Sequence, residues 1–136
     1  MGMWERCCGS DEGWAKIGKA FNEYLLRLST RYERVIAESF YKLPSAINHL
    51  FSIFGREKVF FVQLFCDLSE LERREEARGD RRRGLARSQF EQIYAFSGYD
   101  LLIDSTFLSV EECARELIEQ LPNQAYSVDA KNSLAD

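Results

Sequence analysis

The chain has 136 residues, a net charge of −4, 46% hydrophobic residues and 13% aromatic ones. Such a composition excludes extended disorder and fits a single small domain with a real core. No apolar run approaches the roughly 20 residues of a membrane span, and the negative balance makes basic character a local trait, so neither membrane insertion nor general nucleic-acid binding is expected.

Met1–Ser10 has no periodicity and reads as a frayed lead-in. It carries no signal-peptide core, and Arg6 stands where a myristoylation signal wants Ser or Thr, so the expected location is cytoplasmic. Cys7, Cys8, Cys66 and Cys113 form no C-x-x-C pair, and His49 is the one histidine. A metal site is therefore not expected, and Cys66 and Cys113 read as buried thiols.

From Asp11 the spacing predicts a helix, with Trp14, Ile17, Phe21, Tyr24, Leu25 and Leu28 drawing one apolar stripe. Gly13-Trp14-Ala15-Lys16-Ile17-Gly18-Lys19 has the composition of a phosphate loop, yet its glycines and lysines fall inside this helical pattern. It is read as helix. Arg34–Phe40 is a short strand candidate. Leu43-Pro44 breaks the chain and opens a second helix through Ala46, Ile47, Leu50, Phe51, Ile53 and Phe54, stopped by Gly55. His49 lies on its polar side as a surface or half-buried residue.

Lys58–Cys66 is a nearly continuous apolar strand. Asp67 or Ser69 caps a charged helix in which Glu70, Glu72, Glu75 and Glu76 alternate with Arg73, Arg74 and Arg78. Arg78–Gly84 reads as a mobile basic loop, and Arg87–Phe96 as a helix ended by Gly98. Leu101–Asp104 is the last strand. Ser109-Val110-Glu111-Glu112 is a capping box for a final helix that Pro122 stops, and Asn123–Asp136 is a flexible tail.

Alternating helices and strands predict an α/β fold, a short parallel sheet flanked by helices, over residues 11–122. Three parallel strands are expected, near Arg34–Glu38, Lys58–Cys66 and Leu101–Asp104, the first pairing directly with the second. Val59, Phe61, Phe65 and Leu102, with Trp14, Phe21 and Leu25, are the expected core.

Arg74, Arg78, Arg81, Arg82, Arg83 and Arg87 gather guanidinium groups between two strands. Guanidinium matches phosphate oxygens bidentately and keeps its charge, so such a segment can close on a nucleotide. A solvated charged surface is the plainer reading of the same residues. Single-stranded nucleic acid is disfavoured, because no aromatic residues are interleaved for stacking.

Val62 to Leu117 resembles the chloramphenicol phosphotransferase-like family. The matching elements are Cys66-Asp67, Arg74-Glu75, Ala77-Arg78-Gly79-Asp80-Arg81, Gly84-Leu85-Ala86, Gln89, Tyr99-Asp100, Ile103-Asp104, and Ser109 with Glu112-Cys113-Ala114. A fainter resemblance reaches back through Arg34–Phe40 to Trp14–Leu28. The resemblance implies a P-loop kinase-like three-layer fold using ATP and Mg2+ to phosphorylate a hydroxyl of a small molecule such as chloramphenicol. It makes segment 74–87 a lid, with Arg74, Arg78 and Arg81 on the nucleotide phosphates and Asp104, beside Ser105 or Thr106, near the base-binding edge.

The sequence also departs from the family pattern. No G-x-x-x-x-G-K-[ST] run occurs in the 136 residues. Paired aspartates expected after a strand are replaced by Ala37 and Glu38, leaving Glu38 as the catalytic candidate, and Tyr94 stands where the family leads one to expect His. The expectation is therefore an incomplete fold and a truncated or inactive member, with self-association or a complementing chain to cover what is missing. The alternatives are the lid half of a split kinase, a non-catalytic protein-interaction module, and an active enzyme gripping ATP through the lid arginines and Glu38 alone.

Overall fold

Ser10 turns the backbone into the first helix, its hydroxyl accepting the Gly13 amide at 3.1 Å. Asp11 and Glu12 place negative charge where the first-turn amides favour it, and Arg27 does the converse in the last turn. A computed structural model describes residues 10–80 and 82–121. The expectations for the lead-in before Ser10, for Arg81, and for Pro122 and the tail lie outside the described residues. Among the described residues, the elements in order are α1 (Asp11–Ser29), α2 (Pro44–Phe54), a 3-10 turn (Arg56–Lys58), β1 (Val62–Phe65), α3 (Leu68–Arg78), α4 (Leu85–Ile93), β2 (Leu101–Asp104) and α5 (Val110–Gln120). They form two compact units, one reaching Val59 and the other spanning Phe60–Leu121.

The first unit is the pairing of α1 with α2. Pro44 occupies the first turn of α2, where its missing N–H costs nothing. Ala46, Ile47 and Leu50 of α2 are buried, and so is Asn22 of α1, at 0% exposure. Asn22 is fully matched: its Nδ2 donates to the Ala46 carbonyl at 2.8 Å and lies 3.3 Å from His49 Nδ1, while its Oδ1 accepts the Tyr41 hydroxyl at 2.6 Å. One buried amide thus ties together both helices and the chain between them, and His49 is half-buried beside it.

The second unit is built on β1 and β2, which pair in parallel with Val62 opposite Leu101 and Phe65 opposite Asp104. One helix packs on each strand, α4 against β1 and α5 against β2. On β1, the Gln63 side chain donates to the Ile93 carbonyl of α4 at 3.1 Å, and Phe65 packs against Phe90 and Tyr94. On β2, α5 packs alongside, and Ile103 is 1% exposed. Because pairing puts Leu64 with Ile103 on one face and Gln63 with Leu102 on the other, the uncovered quarters expose Leu64 (58%) and Leu102 (38%).

This is an α/β arrangement with a parallel sheet, as expected, but with two strands rather than three among the described residues. Arg34–Glu38 forms no strand. Val35, Ile36 and Ala37 find no ladder partner, and Ile36 is 96% exposed. Three apolar residues between charges do not hold a strand without a neighbour to pair with. β1 also starts later than expected. Arg56–Lys58 is a 3-10 turn, and the Phe61 amide donates to the Asp100 carboxylate at 2.7 Å instead of to a strand carbonyl. α4 is likewise displaced, running Leu85–Ile93 between its flanking residues Gly84 and Tyr94 rather than on to Gly98. The expected core shifts with these changes. Trp14, Phe21, Leu25, Val59, Phe61 and Phe65 are half-buried and Leu102 faces solvent, while Ala46, Ile47, Leu50, Cys66 and Ile103 are buried.

Candidate functional site

In parallel sheets the ends of the strands, where carbonyls point outward, are the usual place for a ligand. Here the ends of β1 and β2 are knotted together. The Phe65 carbonyl accepts both the Ser105 amide at 2.8 Å and the Ser105 hydroxyl at 2.9 Å. Thr106 is buried; its hydroxyl accepts the Asp67 amide at 3.0 Å and donates to Asp104 Oδ1, which also accepts the Thr106 amide at 3.0 Å. Those two donors, the hydroxyl first, hold the Asp104 carboxyl below its ordinary range. The Tyr94 hydroxyl accepts the Cys66 amide at 3.2 Å, and burial raises its pKa.

Arg74 reaches this knot from α3. Its Nη2 donates to the Ser105 carbonyl at 2.7 Å and lies 3.4 Å from that of Thr106, while its Nε donates to Glu70 at 2.7 Å. Glu70 also takes two bonds from Arg73, at 2.7 and 2.8 Å. Hydrogen bonds from Arg73 and then Arg74 lower the Glu70 carboxyl to about 2. Arg74 and Asp104 are therefore brought together on the Ser105–Thr106 turn, both engaged with the protein itself.

Arg78 ends α3, and Gly79 follows with φ +66°, a left-handed conformation that glycine adopts freely. Arg78 Nε lies 3.8 Å from Asp80, with both side chains more than half exposed, so the pair is weak. Arg82 and Arg83 are exposed. Gly84, at φ +85°, begins α4, and Glu75 of α3 accepts the amides of Gly84 at 2.7 Å and Ala86 at 2.9 Å. Arg87 binds Glu72 at 2.8 and 3.2 Å. An open groove beside this hairpin carries the carboxylates of Glu72, Glu75 and Glu76 against the guanidiniums of Arg73 and Arg83. Glu38 belongs to the first unit, exposed on the stretch after α1.

The chemistry available follows from these engagements. The groove's acids outnumber its bases, so it makes no anion cradle. Among the described residues no group of three or more His, Cys, Asp or Glu is placed to hold a metal ion. For a polyphosphate the described residues offer Arg78, Arg82 and Arg83 as separate exposed cations, not a set of converging backbone donors. Mg-ATP is thus not matched by a preformed cradle among them. Thr106, named with Ser105 beside Asp104, lies at the end of β2 on the Asp104 carboxylate, while Glu70 and Glu75, which also organise the region, were read only as part of a charged helix. The one available signal was Gly84, which starts a helix with no side chain of its own to cap it.

The family model described as chloramphenicol phosphotransferase-like protein matches residues 8–122. Comparison with curated proteins and with solved structures gives no match. No helix among the described residues is long and apolar enough to cross a membrane.

Proposed function

Because the chain belongs to the chloramphenicol phosphotransferase-like family, whose kinase-like members act on small molecules, we propose that it carries the lid portion of such a kinase, meets ATP weakly through exposed arginines, and transfers no phosphate by itself. The family match across residues 8–122 supports taking residues 11–122 as the kinase-like domain. The observation that carries the reading is the contrast within the Arg-rich segment. Arg74 is tied to Glu70 and to two carbonyls, whereas Arg78, Arg82 and Arg83 stand exposed.

Exposed guanidiniums attract polyphosphate, but each contact in water is small and screened by salt. Tight, directed phosphate binding needs converging amides and a lysine, and no G-x-x-x-x-G-K-[ST] run is present in this sequence to supply them. Without that positioning, Glu38 has no bound phosphoryl group to act on. A second copy or a complementing chain, seated on apolar surface such as Leu64 and Leu102, is the partner this reading implies.

Titration calorimetry with Mg-ATP at two salt concentrations, beside a radiolabel transfer assay with chloramphenicol, tests the proposal. Binding is expected to be weak, to fade with added salt, to show little preference over inorganic triphosphate, and to fall further in Arg78→Ala and Arg83→Ala. Micromolar, salt-resistant binding, or phosphate transfer by the chain alone, would overturn it.

A further inference from the structure

The helix α4 begins without a cap of its own. Its first residue outside the helix, Gly84, has no side chain, and no side-chain bond from that position satisfies the free amides of the first turn. One of them, together with the amide of Gly84 itself, is met from the preceding helix instead. Glu75, on the last turn of α3, accepts the Gly84 amide through Oε2 and the Ala86 amide through Oε1. Ala86 is the second residue of α4, the one whose amide a capping side chain ordinarily takes. Two left-handed glycines, Gly79 and Gly84, bend the chain so that α4 returns to α3, and a Cβ at either would meet nothing within 4 Å. At these two glycines it is thus backbone conformation, not packing at the Cβ position, that favours glycine.

We propose that the Glu75 carboxylate is a latch that fastens the start of α4 to the last turn of α3 and so holds Arg82 and Arg83, just before Gly84, in one closed conformation. Segment 82–84 is then not a loose basic stretch. It presents Arg82 and Arg83 from a preset hairpin, and releasing the carboxylate is the step that frees it. Glu72 and Arg87 form a second contact across the hairpin, but this is an exposed ion pair, with Arg87 67% accessible, and such pairs contribute little. Glu75 is the decisive group because it satisfies backbone donors that have no other cap. The latch is a property of the hairpin and holds whether or not the turn meets a nucleotide.

Amide hydrogen exchange on the full chain, read residue by residue, tests this. In Glu75→Ala the Gly84 and Ala86 amides should exchange about tenfold faster, the size of a lost cap, while the amides of the β1–β2 ladder keep their rates. Trypsin should cut after Arg82 or Arg83 faster in the same variant. Glu76→Ala, which removes the neighbouring carboxylate, should change neither. Unchanged exchange at Gly84 and Ala86 in Glu75→Ala, or an equal loss in Glu76→Ala, overturns the latch. Should Glu75→Ala also lose the ladder amides, Glu75→Gln is read in its place. Glutamine keeps one acceptor oxygen, so one of the two amides should lose its protection; both remaining protected would overturn the proposal.

Discussion

At the scale of single residues, Gly18 shows how a motif can mislead and what the residue does instead. It belongs to the stretch whose glycines and lysines imitate a phosphate loop, yet it lies inside α1 facing Ala46 of α2. A Cβ built on Gly18 would sit 2.5 Å from the Ala46 Cβ, so glycine lets the two helices approach at a point where Ala46 is buried. Replacing Gly18 by Ala sets two effects against each other. Helix propensity would gain about 1 kcal/mol, while overpacking a tight contact costs about 1–3 kcal/mol. The second wins, because the clash is with a Cβ on a helix and not with a flexible side-chain end. We expect Gly18→Ala to lower stability by about 1 kcal/mol in urea unfolding; a stabilised variant would show that the helices have room to part. Asn22 was equally invisible in the sequence. A polar residue beside an apolar stripe looks like surface, and only the fold shows that Tyr41, Ala46 and His49 converge on it.

At the scale of elements, what was legible was local. The capping box of α5 was readable because Ser109 and Glu112 are three residues apart and need only each other, and both bonds form. Pro44 and Gly55 likewise bracket α2 by their own conformational limits. Arg34–Glu38 failed because a strand is made by its ladder, which a strand-like sequence cannot supply alone. The joint between α3 and β2 was not legible either, since Arg74 and the Ser105 carbonyl are brought together only by the strand register. Glu70 governs that joint by holding Arg74, and its acidity gives a test. Its folded pKa of about 2 lies below the ordinary 4.5, so its contribution is present above 4.5 and is lost as pH falls toward 2. Comparing urea unfolding of the native chain with Glu70→Gln isolates it from Asp104 and Glu112, whose carboxyls are also lowered. The gap between the two proteins should be full near neutrality and shrink between pH 4.5 and 2, where a protonated glutamate comes to resemble glutamine. A gap that stays constant across that window would mean that Glu70 acts by shape and not by charge.

At the scale of the whole molecule, the balance of buried and exposed apolar surface decides behaviour in solution. Among the described residues, Ala46, Ile47, Leu50, Cys66 and Ile103 are the buried apolar ones, and they are divided between two units. Each unit therefore has a small core, and stability that is a small difference between large terms becomes marginal. Meanwhile Leu64 and Leu102 are left on opposite faces of the two-stranded sheet, and Phe107 (91%) and Ile118 (68%) are exposed in the same unit. A sheet of two strands with uncovered apolar quarters and open edges gains by acquiring a neighbour. The expected outcome is concentration-dependent association. Sedimentation velocity should show species larger than a monomer as concentration rises, and the apparent melting temperature should climb by about 2–5 °C over a roughly hundredfold increase, because whatever binds the folded state stabilises it by mass action. Charging the uncovered quarters with Leu64→Lys and Leu102→Lys together should return the protein to a monomer whose melting temperature no longer depends on concentration. Both side chains are already exposed, so the change removes a docking surface without emptying a core. A native chain that stays monomeric over that range and unfolds sharply at high temperature would show that these leucines are tolerated exposure and that the small cores suffice.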